Sequence, residues 1–177
     1  LSEDGGVSWR QVGSPVSTDL TTVRFASSDV AWAVGHDAVA LRSPDGGASW
    51  TRVLDGRAVL TLLRDSAKGS EEREAEIQRT VGQSATADVW PAPLLDIWFA
   101  PDGLTGFAVG GFGLILKTSD AGNTWQPWLW KTDNDQRYHL YALAGGDGGV
   151  FVAGEQGLVM HLDATTQRFK RVQTPYN

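Results

Sequence analysis

The chain of 177 residues contains no cysteine, one methionine and seven prolines. Without thiols there can be no disulfide and no thiolate metal site, and the absence suits an exported protein as well as a cytosolic one. Basic residues are outnumbered, 15 Lys and Arg against 21 Asp and Glu, for a formal charge of −6. No run of Lys or Arg offsets that balance. Nucleic acid and anionic membrane surfaces, which call for clustered positive charge, are therefore not expected partners. No apolar stretch approaches the roughly 20 residues of a membrane span, so direct membrane insertion is not expected either. The sequence carries no signal peptide, which leaves the compartment open.

Glycine and tryptophan are abundant, at 21 and 8 residues. Both concentrate in one phrase that occurs three times: Ser2-Glu3-Asp4-Gly5-Gly6-Val7-Ser8-Trp9, Ser43-Pro44-Asp45-Gly46-Gly47-Ala48-Ser49-Trp50 and Thr118-Ser119-Asp120-Ala121-Gly122-Asn123-Thr124-Trp125. The physics of the phrase is that of a tight turn. An Asp carboxylate accepts local N–H bonds, a Gly two residues on takes positive φ, and a hydroxyl four residues on ties the turn together. The indole supplies apolar surface to pin the turn to a core. Asp4, Gly6 and Trp9, Asp45, Gly47 and Trp50, and Asp120, Gly122 and Trp125 are accordingly expected to be structural.

Upstream of the second and third phrases lie short apolar segments ending in glycine, Val30–Gly35 and Thr105–Gly110, with a further copy at Gly149–Gly154. From Gly35 to Trp50, from Gly110 to Trp125 and from Gly154 to Phe169 the interval is 15 residues, which identifies a degenerate fourth turn around Asp163 to Phe169. Strands at Leu20–Ala26, Leu94–Ala100 and Leu140–Ala144 precede these segments. Each unit reads strand, strand, strand, Asp turn, strand. The turn aromatics Trp9, Trp50, Trp125 and Phe169 are 41, 75 and 44 residues apart. A period near 40 with four strands per unit predicts an all-β propeller of four-stranded blades. The interval of 75 residues implies an insertion at about 64–93, with a short surface helix over 70–79 capped by Ser70.

The expected layout is a single domain, 1–177, forming part of a propeller: 1–13 as the end of a preceding blade with an outer strand at Trp9–Val12, then blades at 14–54, 55–130 and 131–177. About three full blades plus one outer strand fall short of the roughly four to eight that close a ring. The reading expects closure by further sequence or by self-association.

These motifs resemble the Asp box of BNR-repeat propellers, a superfold shared by sialidases and many non-enzymatic proteins. The fuller pattern, Leu94–Ala100, then Gly106-Phe107-Ala108-Val109-Gly110, then Gly113 to Trp125, is similar to the photosystem II stability and assembly factor type of BNR protein and its bacterial relatives. The resemblance covers nearly the whole chain outside the insertion. It implies a non-catalytic, protein-binding propeller that serves as an assembly or accessory factor for a membrane-associated complex, exported to the periplasm or cell envelope, with no cofactor.

The sequence points to where such binding would occur. Asp turns join third to fourth strands, on one side of a propeller. The opposite side carries the loops between second and third strands and those leading into the next inner strand, and loops on a rigid scaffold are where function concentrates. His36 and Asp37, Phe112, and Glu155 and Gln156 occupy the first kind; Trp128, Trp130, Tyr138 and His139 lie in the second. Aromatics beside polar residues are typical of binding hot spots, although Trp128 and Trp130 would equally fill gaps between blades. Asp133-Asn134-Asp135 lacks the glycine and bidentate glutamate of a calcium loop, so no metal site is expected. No catalytic residues are assigned: Arg10, Arg24, Arg42, Arg52 and Arg137 are scattered, and no nucleophile motif accompanies His36–Asp37 or Glu155. Two alternatives remain open, a glycan-binding or sialidase-like glycosidase propeller and a structural domain of a larger protein.

Overall fold

The computed structural model describes residues 1–82 and 88–175; residues 83–87 of the expected insertion and 176–177 lie outside them. Three four-stranded antiparallel sheets follow one another along the chain. The first comprises β1 (Leu20–Phe25), β2 (Ala31–Gly35), β3 (Ala40–Ser43) and β4 (Thr51–Leu54). The second comprises β5 (Leu94–Phe99), β6 (Gly106–Gly110), β7 (Ile115–Thr118) and β8 (Gln126–Pro127), and the third β9 (Leu140–Gly146), β10 (Gly149–Gly154), β11 (Val159–Asp163) and β12 (Arg168–Arg171). Strands pair in sequence order within each sheet, as a meander of tight turns requires. Successive sheets pack face to face through their inner strands, with β5 touching both β1 and β9. The chain is thus a partial all-β propeller with a helical insertion. No helix among the described residues is long and apolar enough to cross a membrane.

The middle strands β2 and β6 are wholly buried: β6 lies between the first and third sheets, and β2 has the second sheet on one face and Val16 and Trp50 packed on the other. Trp32 on β2 stacks on Phe99 at 5.1 Å and meets Trp125 edge-on at 5.9 Å. Phe107 on β6 meets Phe169 at 5.3 Å and Trp128 at 5.6 Å. Polar contacts set the register between sheets. Thr21 and Thr22 donate to the carbonyls of Leu94 and Leu95, and Arg24 donates two bonds to Asp96. Asp96 is buried and also accepts the backbone N–H of Leu143, so one carboxylate links three sheets.

The three Asp turns share one set of bonds. At the second, Asp45 accepts from the Ser43 hydroxyl at 2.8 Å, the Ser49 N–H at 2.8 Å and the Ser49 hydroxyl at 2.6 Å. Ser43 in turn accepts the Gly47 N–H, and the Trp50 indole donates to the Gly47 carbonyl. Gly47 has φ of +94°, which an L side chain rarely adopts. Hydroxyl donation by Ser8 and Ser49, followed by backbone N–H donation, lowers the carboxyls of Asp4 and Asp45 to about 2. Asp120 is lowered for the same reason by Thr124.

Two elements differ from the sequence expectation. The insertion starts earlier than residue 64 and holds two helices, α1 (Gly56–Ala67) and α2 (Glu71–Gly82). Asp55 caps α1 by accepting the N–H groups of Arg57 and Ala58, and its Val59, Leu60, Leu63 and Ala67 face is buried. The outer strand expected at Trp9–Val12 is not formed. That segment has no strand beside it among the described residues; Leu1 and Arg10 instead exchange backbone hydrogen bonds, and Trp9 is 76% exposed.

Candidate functional site

Each second-to-third strand connection is a single 3₁₀ turn: His36–Ala38, Gly111–Gly113 and Glu155–Gly157. The glycine before each turn is needed for close approach. A Cβ on Gly35, Gly110 or Gly154 would strike the carbonyl of Asp19, Pro93 or His139, just ahead of the inner strand. The next N–H then donates to that same carbonyl, at 2.9 Å from His36, 3.1 Å from Gly111 and 3.0 Å from Glu155. So anchored, the turn holds its middle residue in the left-handed region: Asp37 at φ 57°, Phe112 at 56° and Gln156 at 55°. For non-glycine residues this conformation is uncommon. Three side chains are displayed at equivalent points of three blades, on the edge opposite the Asp turns.

Between the second and third sheets these loops make a connected group. The N–H of Phe112 donates to Nδ1 of His139 at 2.8 Å, and the two rings meet edge-on at 5.3 Å. The backbone N–H of His139 donates to the Glu155 carboxylate at 2.8 Å. Glu155 also contacts Tyr141, whose phenol is raised above its ordinary pKa by desolvation first and then by the glutamate charge. Because a backbone N–H can only donate, Nδ1 of His139 is the acceptor, and the neutral ring then carries its proton on Nε2. Phe112 and His139 are half-buried, whereas Tyr141 and Gln156 are exposed. The arrangement offers an aromatic edge, an imidazole N–H, a carboxylate and an amide on one ridge.

A second group docks the insertion beside that ridge. Glu76 on α2 accepts from Nε1 of Trp130 at 2.9 Å and from the Arg137 guanidinium through two nitrogens. Burial opposes ionisation of Glu76, but the Arg137 and Trp130 bonds outweigh it and hold the carboxyl below the usual glutamate value. Arg73 lies over the Trp130 ring at 4.9 Å. Arg137 reaches the Leu129 carbonyl as well, and its Cα closes over Gly113. Trp90, just before the second sheet, is buried edge-on to Phe112 at 6.2 Å.

The remaining expected residues are distributed differently. Trp128 is buried under Phe107, with Lys117 and Lys131 over its ring at 4.4 and 4.6 Å, so its ring is spent on packing rather than presented outward. Trp130 is committed to α2. Tyr138 is half-buried, its N–H held by the Asn134 side chain. His36 and Asp37 are exposed on the first sheet, where Thr18 donates to Asp37; they make no hydrogen bond to the Phe112 group among the described residues. Asn134 is buried and bonded to Tyr138, and Asp133 faces Arg168 and the Arg171 N–H, so neither is arranged around a cation. Among the described residues no three His, Asp or Glu side chains could hold a metal ion. Sequence reasoning missed Tyr141, Trp90 and the Glu76–Arg137 pair. Tyr141 was hidden within an inner strand and Trp90 and Glu76 within the insertion, while Arg137 was read only as one of several scattered arginines.

A family model described as photosynthesis system II assembly factor YCF48 matches residues 73–175. Over 58 residues the chain is 41% identical to the photosystem II assembly lipoprotein Ycf48 of Trichormus variabilis, a match covering 32% of this chain and 17% of that protein. The Ycf48 lipoprotein of a Nostoc species is 42% identical over 55 residues, or 30% and 16% of the two chains. The matches thus span about a sixth of these relatives' length. Among solved structures, a YCF48 bound to D1 peptide superposes with a TM-score of 0.60 at 16% identity, covering 89% of this chain and 42% of the other. YCF48 from Cyanidioschyzon merolae gives 0.61 at 19% identity, with 92% and 42% covered. At such identity the likeness is one of fold.

Proposed function

Because this chain belongs to the photosynthesis system II assembly factor YCF48 family, we propose that it is a non-catalytic propeller that holds a peptide segment of a membrane-protein subunit during assembly of a complex at the cell envelope. The observation that carries this reading is the ridge of Phe112, His139 and Glu155, locked by two 2.8 Å hydrogen bonds to backbone N–H groups. Preorganised loops with an aromatic edge and an exposed amide at Gln156 suit an extended peptide, whose backbone offers both donors and acceptors. The Nε2–H of His139 would donate to a peptide carbonyl, the exposed Gln156 would pair with either backbone group, and Phe112 would take an apolar side chain.

Glu155 is bonded to the backbone of His139, and its role is to position that residue. Glu155 also meets the Tyr141 phenol, whose pKa is raised rather than lowered, so the pair holds no pre-ionised nucleophile, which favours binding over bond cleavage. One relative of known structure is bound to D1 peptide, and the curated relatives are lipoproteins. Both support a membrane-subunit segment as ligand and an envelope location. Binding of a D1 peptide by fluorescence anisotropy tests the proposal. Saturable binding that Phe112→Gly weakens at least tenfold supports it, while binding indifferent to that substitution, or no binding, contradicts it.

A further inference from the structure

Pro93 and His139 hold equivalent places, one residue ahead of the inner strands β5 and β9. Their carbonyls accept the N–H groups of Gly111 and Glu155 at 3.1 and 3.0 Å. His139 does something more: its Nδ1 reaches across the blade boundary to accept the Phe112 N–H at 2.8 Å. Proline has no side-chain acceptor to offer at that place. Asp37, the counterpart of Phe112 in the first blade, makes its side-chain bond among the described residues as the acceptor of Thr18. The bond between blades is therefore a property of the histidine and not of the repeat.

Only a neutral ring can make that bond. A doubly protonated imidazole has no acceptor, and it would set one N–H against another. The backbone of His139 cannot retreat, because its N–H donates to the Glu155 carboxylate at 2.8 Å while its carbonyl holds the Glu155 N–H. The ring has to turn instead. Turning leaves the half-buried Phe112 N–H unpaired, at a φ of 56° that is uncommon for a residue with a side chain. Glu155 from the third-blade turn supplies the negative charge that supports an imidazolium, with Tyr141 of β9 beside it. The second-blade turn, Gly111–Gly113, brings no ionisable side chain, and Arg137 in the preceding loop is committed to Glu76.

We propose that His139 is a proton-controlled latch on the ridge: the neutral ring holds the Phe112 turn in its binding form, and protonation releases the turn and with it the bound segment. The proposal rests on reading the ridge as a peptide site. Its direction follows from the hydrogen bond. Affinity is highest where the ring is neutral and falls on acidification. Nε2–H remains a donor in both charge states, so the loss comes from the freed turn and the displaced Phe112 edge rather than from a missing contact to the peptide backbone. Histidine is suited to this role because it changes charge within the physiological range.

Two readouts taken between about pH 8 and pH 5, where histidines change charge, test this. In the unbound chain, the protection factor of the Phe112 amide, corrected for the intrinsic pH dependence of exchange, should fall as the pH is lowered. D1 peptide affinity measured by fluorescence anisotropy should fall in parallel, by at least tenfold. His139→Asn supplies a carbonyl acceptor that cannot titrate, so both profiles should become flat whatever its affinity. Glu155→Gln keeps an acceptor for the His139 N–H but removes the charge, and should move the response to lower pH. The chain has two other histidines, and replacing His36 and His161 with glutamine should leave the response in place. A Phe112 amide that responds while no peptide binds at any pH supports the latch and contradicts the peptide reading. Constant Phe112 protection in the native chain, peptide affinity that does not change with pH, or a His139→Asn profile that still falls would overturn the proposal.

Discussion

The backbone N–H of Phe112 donates to Nδ1 of His139 at 2.8 Å, across 27 residues of sequence and from one sheet to the next. This bond joins a left-handed turn of the second blade to the entry of the third blade's inner strand. It makes the candidate ridge a shared property of two blades. Neither blade alone would present it.

Replacing Phe112 with glycine should remove the aromatic edge without straining the turn, because glycine accepts φ of 56° freely. Peptide affinity should fall by at least tenfold, and the melting temperature should drop modestly as Trp90 and His139 lose their edge contact with the ring. Replacing His139 with alanine should weaken binding similarly and also free the Phe112 N–H, which would appear as faster amide exchange at residue 112.

Asp96→Ala should destabilise the chain by about 1–3 kcal/mol, the usual cost of leaving a buried donor unpaired, here the N–H of Leu143. Arg24, half exposed, would return to water at little cost. Urea denaturation measures the difference. A loss below about 0.5 kcal/mol would show that the inter-sheet register does not rest on this carboxylate.

Acid should reveal the Asp turns. Asp4 and Asp45 ionise near 2 when folded against 3.8 ordinarily, so their contribution is fully present above about pH 4 and is lost as the pH falls toward 2. Urea midpoints measured across that window should fall with pH. Asp45→Asn should flatten the fall, because the amide cannot titrate.

Much of the fold was legible because propeller repeats write the same turn chemistry at fixed intervals. The 15-residue spacing from Gly35, Gly110 and Gly154 places the second strands and locates Phe169 without any help from its neighbours. Helix α1 was not legible. Its Ala58-Val59-Leu60-Thr61-Leu62-Leu63 core is a short apolar run broken only by Thr61, too short for its period to separate helix from strand, and it closely follows β4. The missing outer strand at Trp9–Val12 shows that strand pattern alone forms no ladder without a neighbour. At the site, the sequence named Phe112, His139 and Glu155 as loop residues but had no means to join them, since the joining bonds use backbone N–H groups contributed by tertiary packing. Trp128 and Trp130 illustrate the converse: aromatic composition marks a segment, while burial decides which rings face outward.

Glu76→Ala should release α2 from the blade. The Trp130 indole and the Arg137 guanidinium would lose their shared acceptor, at a cost of about 1–3 kcal/mol. Hydrogen exchange along Glu71–Gly82 should accelerate while the strands β5, β6 and β7 remain protected. Equal acceleration in those strands would mean that the insertion is integral to the blade fold.

The most direct test of the account is hydrogen–deuterium exchange of the chain with and without a saturating D1 peptide. The account predicts new protection at residues 111–113, 137–141 and 155–157, with the Asp turns at 45–50 and 120–125 unchanged. Protection confined to the Asp turns, or none at all, would contradict it.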